Sequence, residues 1–231
     1  MDSALKIKKF VSGLKLAENK KSEHNPIQII PPPKRVIIPM QMHTGAPCEI
    51  LVKKGDFVKT GQLIGKSSAF ISANIHSSIT GTVKSILKTI NPASSMIINA
   101  VEIESVQNQI NEAEGAIKEN SRNDYVDEWV KLDGIFSNKE LPEKNEDLFN
   151  EIRKTDPKSL IEKIKNAGIV GMGGAAFPTH VKLSVPENKK IDTLIINGCE
   201  CEPYITADHR VMLEYTKEML IGIFIAANIL K

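Results

Sequence analysis

Three observations point to an α+β chain of more than one domain, a small all-β part preceding an α/β part. Short apolar runs broken by glycine turns fill residues 34–104. A capped helix, a β-rich run and a second apolar helix follow one another over residues 156–231. Between them lies a polar stretch with no sustained period. The 231 residues are 41% hydrophobic and 25% charged, enough apolar material to bury a core. Thirty Lys plus Arg against 28 Asp plus Glu leave a formal charge of +2, so no strong field recommends nucleic acid or an anionic membrane as partner.

Residues 1–30 read as an N-terminal arm, lysine-rich and without periodicity. Pro31, Pro32 and Pro33 cannot enter a helix interior or a central strand, so they form a rigid extended lead-in to the first domain, residues 31–106. Strands are expected at Arg35 to Ile38, Glu49 to Val52, Gln62 to Ile64, Thr82 to Leu87 and Met96 to Ile103, with turns at Lys54-Gly55-Asp56, Thr60-Gly61 and Thr80-Gly81. Many short strands of this kind suggest a small sandwich or barrel.

Residues 107–155 read as a linker, in which Tyr125, Trp129, Val130, Leu132, Ile135 and Phe136 are expected to pin part of the chain against a neighbouring domain. Asp156 then offers an N-cap and Pro157 suits the first helical position. Leu160, Ile161, Ile164 and Ala167 recur at helical spacing until Gly168 supplies a stop. Asp192 to Asn197 (DTLIIN) reads as a buried strand. Thr206 is expected to cap one helix with the apolar face Met212, Tyr215, Met219, Ile223 and Ala226. The longest uncharged apolar run, Met219 to Leu230, is 12 residues, short of the roughly 20 that a bilayer span needs, so membrane association would come through partners. No apolar stretch of secretory length follows the N-terminus, and a cytoplasmic location is expected.

Two loops carry the candidate chemistry. In Gly168 to Leu183 (GIVGMGGAAFPTHVKL), Gly171, Gly173 and Gly174 bare the backbone so that N–H groups can converge on an anion or a flat ring can approach, and Phe177 and Lys182 add an aromatic face and a cation. A tight turn with no guest uses the same residues. In Asn197 to Tyr204 (NGCECEPY), Asn197, Glu200 and Glu202 sit just after the apolar run, where open α/β sheets bind ligands. Carboxylates in an apolar neighbourhood need hydrogen-bond partners; the plain alternative is a solvated polar turn. Cys48, Cys199 and Cys201 lack the C-x-x-C spacing of zinc or iron–sulfur sites, so no metal is expected, and His180 and His209 have no second ligand in view.

GMGGAAFPTHVKL, followed by LIINGCECEPYITADHRVMLE, closely resembles the RnfC family, the peripheral subunit of the Rnf electron-transport complex, and more distantly the FMN- and NADH-binding subunit of complex I. IIPPPKRVIIPMQMHTGAPCEILVKKGDFVKTGQLIG and FISANIHSSITGTVKSI resemble its barrel-sandwich hybrid domain, of biotinyl/lipoyl type, so the likeness runs from Ile27 to Ala227 apart from the linker. Carrier domains of that type display a modified lysine at a hairpin tip, which here falls near Phe70; no lysine stands there, and Lys66 lies on the approaching strand.

By that resemblance, residues 156–231 are the N-terminal part of an incomplete Rossmann-like FMN/NAD-binding domain. The parent complex passes electrons between ferredoxin and NAD, coupled to ion transport, from the cytoplasmic face of the membrane beside other Rnf subunits. Gly171, Gly173 and Gly174 would line the flavin, Lys182 would bind its phosphate or ring edge, and Phe177 would stack on the dinucleotide. Asn197, Glu200 and Glu202 would hydrogen-bond flavin or nicotinamide, with no acid–base catalyst. Three positions depart from the complex I protein: Met172 stands for an arginine, Ala176 for a glycine and Cys199 for an aspartate. The family's [4Fe–4S] cysteine motifs are not in this chain, which predicts a fragment or a short form inactive alone, with a terminal helix short of packing partners. A non-enzymatic docking module with a purely structural glycine loop is the competing expectation.

Overall fold

The computed structural model describes residues 17–91, 94–106, 146–186 and 188–231. The aromatic and apolar residues of the expected linker, Tyr125 to Phe136, and the start of the arm lie outside them. The chain divides into two compact units, one of residues up to Ile27 with Asn197–Thr216, the other of Gln28–Ile196 with Lys217–Lys231.

Among the described residues of the larger unit, seven strands form two antiparallel sheets. β1 (Arg35–Pro39), β7 (Ile97–Ser105), β6 (Gly81–Ile90) and β3 (Phe57–Val58) make a four-stranded sheet in the order β1-β7-β6-β3. β2 (Glu49–Ile50), β4 (Leu63–Lys66) and β5 (Ile75–His76) make a three-stranded one. The register sets Ile38 opposite Val101 and Val83 opposite Ile103, so period-2 alternation carries these side chains inward together. Ile38, Met40, Val58, Ile64, Ile75, Ile79, Val83, Val101 and Ile103 form one core fed by both sheets. Each fully buried Val or Ile there contributes about 2 kcal/mol. Gly81 is fixed by proximity, since a Cβ on it would lie 2.1 Å from the Glu104 carbonyl oxygen of the paired strand. The expected apolar runs fall on β1, β2, β4, β6 and β7. β3 and β5, two residues each, are too short to show a period in the sequence.

α1 (Glu146–Lys154) occupies residues expected to continue the linker to 155. α2 (Pro157–Asn166) begins as expected, with the Asp156 carboxylate accepting the Ser159 N–H at 3.1 Å and Pro157 in the first turn. Leu148 and Ile152 of α1, Leu160 and Ile164 of α2, and Ile221 and Ile229 of α5 (Thr216–Ile229) form a second core. Phe149 meets Phe224 edge-on at 4.7 Å, and Asn228 donates to the Ile152 carbonyl at 2.9 Å. The terminal helix therefore packs against the expected helix α2 and against α1, which lies within the residues expected as linker.

Three further expectations are corrected. The single helix after Thr206 is two, α4 (Ala207–Glu214) and α5, broken at Tyr215. The Thr216 hydroxyl bonds back to the Met212 and Leu213 carbonyls, a local alternative to continuous helix. Thr206 precedes α4 without capping it, because its hydroxyl pairs with that of Ser22 at 2.8 Å. Asp192 to Asn197 forms no strand, and Ile195 is 82% exposed. From residue 146 on, the described residues hold helices and one isolated bridge, Val170 with Pro178, and no sheet of the Rossmann kind.

Candidate functional site

The glycine loop leaves α2 at Gly168, whose φ of +67° is the left-handed turn that a helix end favours. A Cβ there would meet the Asn74 carbonyl oxygen at 2.2 Å, so both conformation and space demand glycine. The loop's neck is closed by Gly171 N–H to the Phe177 carbonyl (2.9 Å) and Thr179 N–H to the Ile169 carbonyl (3.0 Å). Beyond the neck, a Cβ placed on Gly173 or Gly174 meets nothing within 4 Å, and neither residue has positive φ. Packing among the described residues therefore gives no reason for either to be glycine.

α3 (Thr179–Leu183) returns beneath the loop and brings Lys182 to it. Lys182 Nζ lies 3.1 Å from where a Gly171 Cβ would stand. Met172, on the same loop, is 92% exposed and supplies no charge. Ala176 takes a φ of +50°, a left-handed conformation that costs an alanine about 1 kcal/mol.

Four contacts that the sequence reading missed tie this loop to the β-domain. The Thr44 hydroxyl donates to the Ala175 carbonyl at 2.6 Å, and Thr44 N–H donates to that of Ala176 at 3.2 Å. His180, buried, donates through Nε2 to the Phe70 carbonyl at 3.1 Å, leaving Nδ1 without a partner among the described residues. Asn74 donates to the Asn166 carbonyl at 3.3 Å. Burial lowers the His76 pKa from its ordinary 6.5, partly offset by a hydrogen bond to Asn166. The partners in these four contacts are separated by 92 to 132 residues in sequence (166 − 74 and 176 − 44), a distance over which no periodicity or spacing signals contact.

The acidic turn lies in the smaller unit. Asn197 Oδ1 accepts the Cys199 N–H at 2.9 Å, an Asx turn within the segment itself. Glu200 Oε1 accepts the His209 N–H at 3.1 Å, closing the first turn of α4 in the manner of a cap. Its Oε2 is buried without a partner among the described residues, an acceptor available to a further donor. Glu202, Cys199 and Cys201 are exposed, so the apolar surroundings expected for both acids are absent at Glu202. The structure thus brings Gly171, Phe177 and Lys182 together at one loop whose tip is Gly173 and Gly174. Asn197, Glu200 and Glu202 belong to the other unit. Among the described residues no group of three or more His, Cys, Asp or Glu could hold a metal ion, and no helix is long and apolar enough to cross a membrane.

Residues 8–108 match the family described as the RnfC Barrel sandwich hybrid domain, and residues 164–231 match the Nuo51 FMN-binding domain. The chain belongs to the RnfC family. It is 41% identical over 225 residues to the C subunit of the proton-translocating ferredoxin:NAD(+) oxidoreductase complex of Clostridium ljungdahlii, covering 97% of this chain and 42% of that protein. It is 36% identical over 194 residues to the C subunit of the Na(+)-translocating ferredoxin:NAD(+) oxidoreductase complex of Acetobacterium woodii, covering 84% and 37%. Against the C subunit of the ion-translocating oxidoreductase complex of Rhodobacter capsulatus the identity is 36%, covering 88% and 33%. The chain thus spans less than half the length of these RnfC relatives. The match to the FMN-binding domain takes in the glycine loop, α3 and the acidic turn, so both candidate segments fall within the flavin-associated part of the family.

Proposed function

We propose that this RnfC-family chain contributes the FMN-binding loop of a ferredoxin:NAD(+) oxidoreductase coupled to ion transport, assembled with other Rnf subunits on the cytoplasmic face of the membrane. The observation that carries the reading is the open space over Gly173 and Gly174 in the loop whose Gly171 lies against the Lys182 ammonium, bare backbone for which packing among the described residues gives no reason. FMN supplies the redox chemistry when bound, and the chain's residues supply affinity and orientation. Gly171, Gly173 and Gly174 line the isoalloxazine or its phosphate, Lys182 pairs with phosphate or ring edge, and Phe177 stacks on the NAD(H) side. Asn197, Glu200 and Glu202 offer hydrogen-bond acceptors, of which Glu200 Oε2, buried and without a partner among the described residues, is the one already desolvated. Residues 156–231 on this reading are the N-terminal part of a Rossmann-like nucleotide domain.

FMN titration tests this directly. Quenching of flavin fluorescence is expected with the wild-type chain and is expected to vanish in Gly173→Val. That substitution fills open space and so leaves the melting temperature within about 2 °C of wild type. No quenching at several equivalents of FMN favours the second reading, an assembly module. A separate observation supports that module: the far end of the β6–β7 hairpin exposes Ile90, Met96 and Ile97, an apolar surface suited to a protein partner.

A further inference from the structure

The β-domain hairpin loop between β4 and β5, which in carrier domains of this type would display a modified lysine, is spent here on holding residues 166–180. Phe70 and Asn74 stand on that loop, and both make hydrogen bonds to this segment through His180 and Asn166. Thr44, on the connection between β1 and β2, makes the two bonds that reach the glycine loop itself. They end on Ala175 and Ala176, immediately after the open glycines and at the residue held in the left-handed conformation.

An alanine leaves that conformation readily unless neighbours over-determine it. The Ala175 and Ala176 carbonyls are each taken by Thr44, and relaxing the turn would break both bonds. We infer that Thr44 is a positioning residue, clamping the 175–176 turn so that the Gly173–Gly174 backbone stays open to a ligand. This rests on the flavin reading of the loop; the clamp itself is a property of the free chain. Glycine would adopt this turn unaided and alanine does not, which is what makes the Thr44 hydroxyl matter.

The test uses the whole chain and two readouts. Thr44→Val removes the hydroxyl and keeps both shape and the backbone N–H, whereas Thr44→Ser restores the hydroxyl. Amide hydrogen exchange over residues 171–177 without ligand should accelerate in Thr44→Val and return to the wild-type rate in Thr44→Ser. FMN affinity should fall about five- to tenfold in the valine variant, the equivalent of one hydrogen bond, and recover in the serine variant. Exchange in Thr44→Val equal to wild type overturns the inference. A wild-type chain that ignores FMN, with exchange still accelerated in the valine variant, upholds the clamp and sinks the flavin reading instead. Acceleration in both variants alike also overturns it, because the serine hydroxyl would then be irrelevant.

Discussion

The glycine loop and the run from Ile191 to Ile196 are both poor in regular strand, yet the first is fixed by residues far away in the chain and the second lies exposed. Gly168 is pressed against Asn74, Thr44 holds two carbonyls of the loop, and His180 is buried against Phe70. Along Ile191 to Ile196 the side chains are exposed and no strand pairs with them among the described residues. Irregular backbone can be precise when its polar groups have fixed partners, and a β-prone sequence stays irregular when they do not.

The largest expected effect breaks the fixed region. Gly168→Val combines positive φ with a Cβ 2.2 Å from a backbone oxygen that has no side-chain slack, and should destabilise the larger unit by about 3 kcal/mol. A melting temperature lower by roughly 10 °C checks it. An unchanged melting curve would mean that the Asn74 contact carries no weight, and the contrast between the two regions would collapse.

Acid separates the regions by pH rather than by mutation. Burial holds the pKa values of His43 and His76 below the ordinary 6.5, so the folded β-domain favours their neutral forms. The unfolded chain then binds more protons, and the stability these residues contribute is complete above about pH 6.5 and is lost as pH falls through the lowered folded values. In the smaller unit, Glu214 is held below its ordinary 4.5 chiefly by the Arg210 hydrogen bond, helped by the Ile27 N–H. Its contribution is present above 4.5 and lost only below that. Hydrogen exchange followed downward from pH 7 should therefore quicken first around β5 and the loop it supports, and around α4 only below pH 4.5. Simultaneous loosening of both would contradict the assignment.

These differences mark where sequence reasoning reaches. The β-domain was legible because alternation, proline and glycine turns act within a few residues, and α2 because Asp156, Pro157 and Gly168 are local signals. The glycine loop and Lys182 were legible as a pair because they lie within one turn and one short helix. Thr44, Phe70 and Asn74 were not, since their role exists only once the chain has folded back across about a hundred residues. DTLIIN misled for the opposite reason: its Ile and Leu content is a strong local signal, but a strand's hydrogen bonds belong equally to its neighbour.

Ile195→Lys is the smallest expected effect and the sharpest probe of that last point. A buried strand residue replaced by lysine would cost several kcal/mol, through lost burial and a desolvated charge. At 82% exposure the side chain already faces water, so the change in stability should stay within about 0.5 kcal/mol. Denaturant unfolding of the full 231-residue chain reads the difference directly. A loss of several kcal/mol would show that the run is covered in solution, by a second copy or by rearranged chain. The sequence expectation of a buried strand would then be right where the exposed conformation is not. An unchanged midpoint leaves Ile195 in water, with β propensity that no strand among the described residues has put to use.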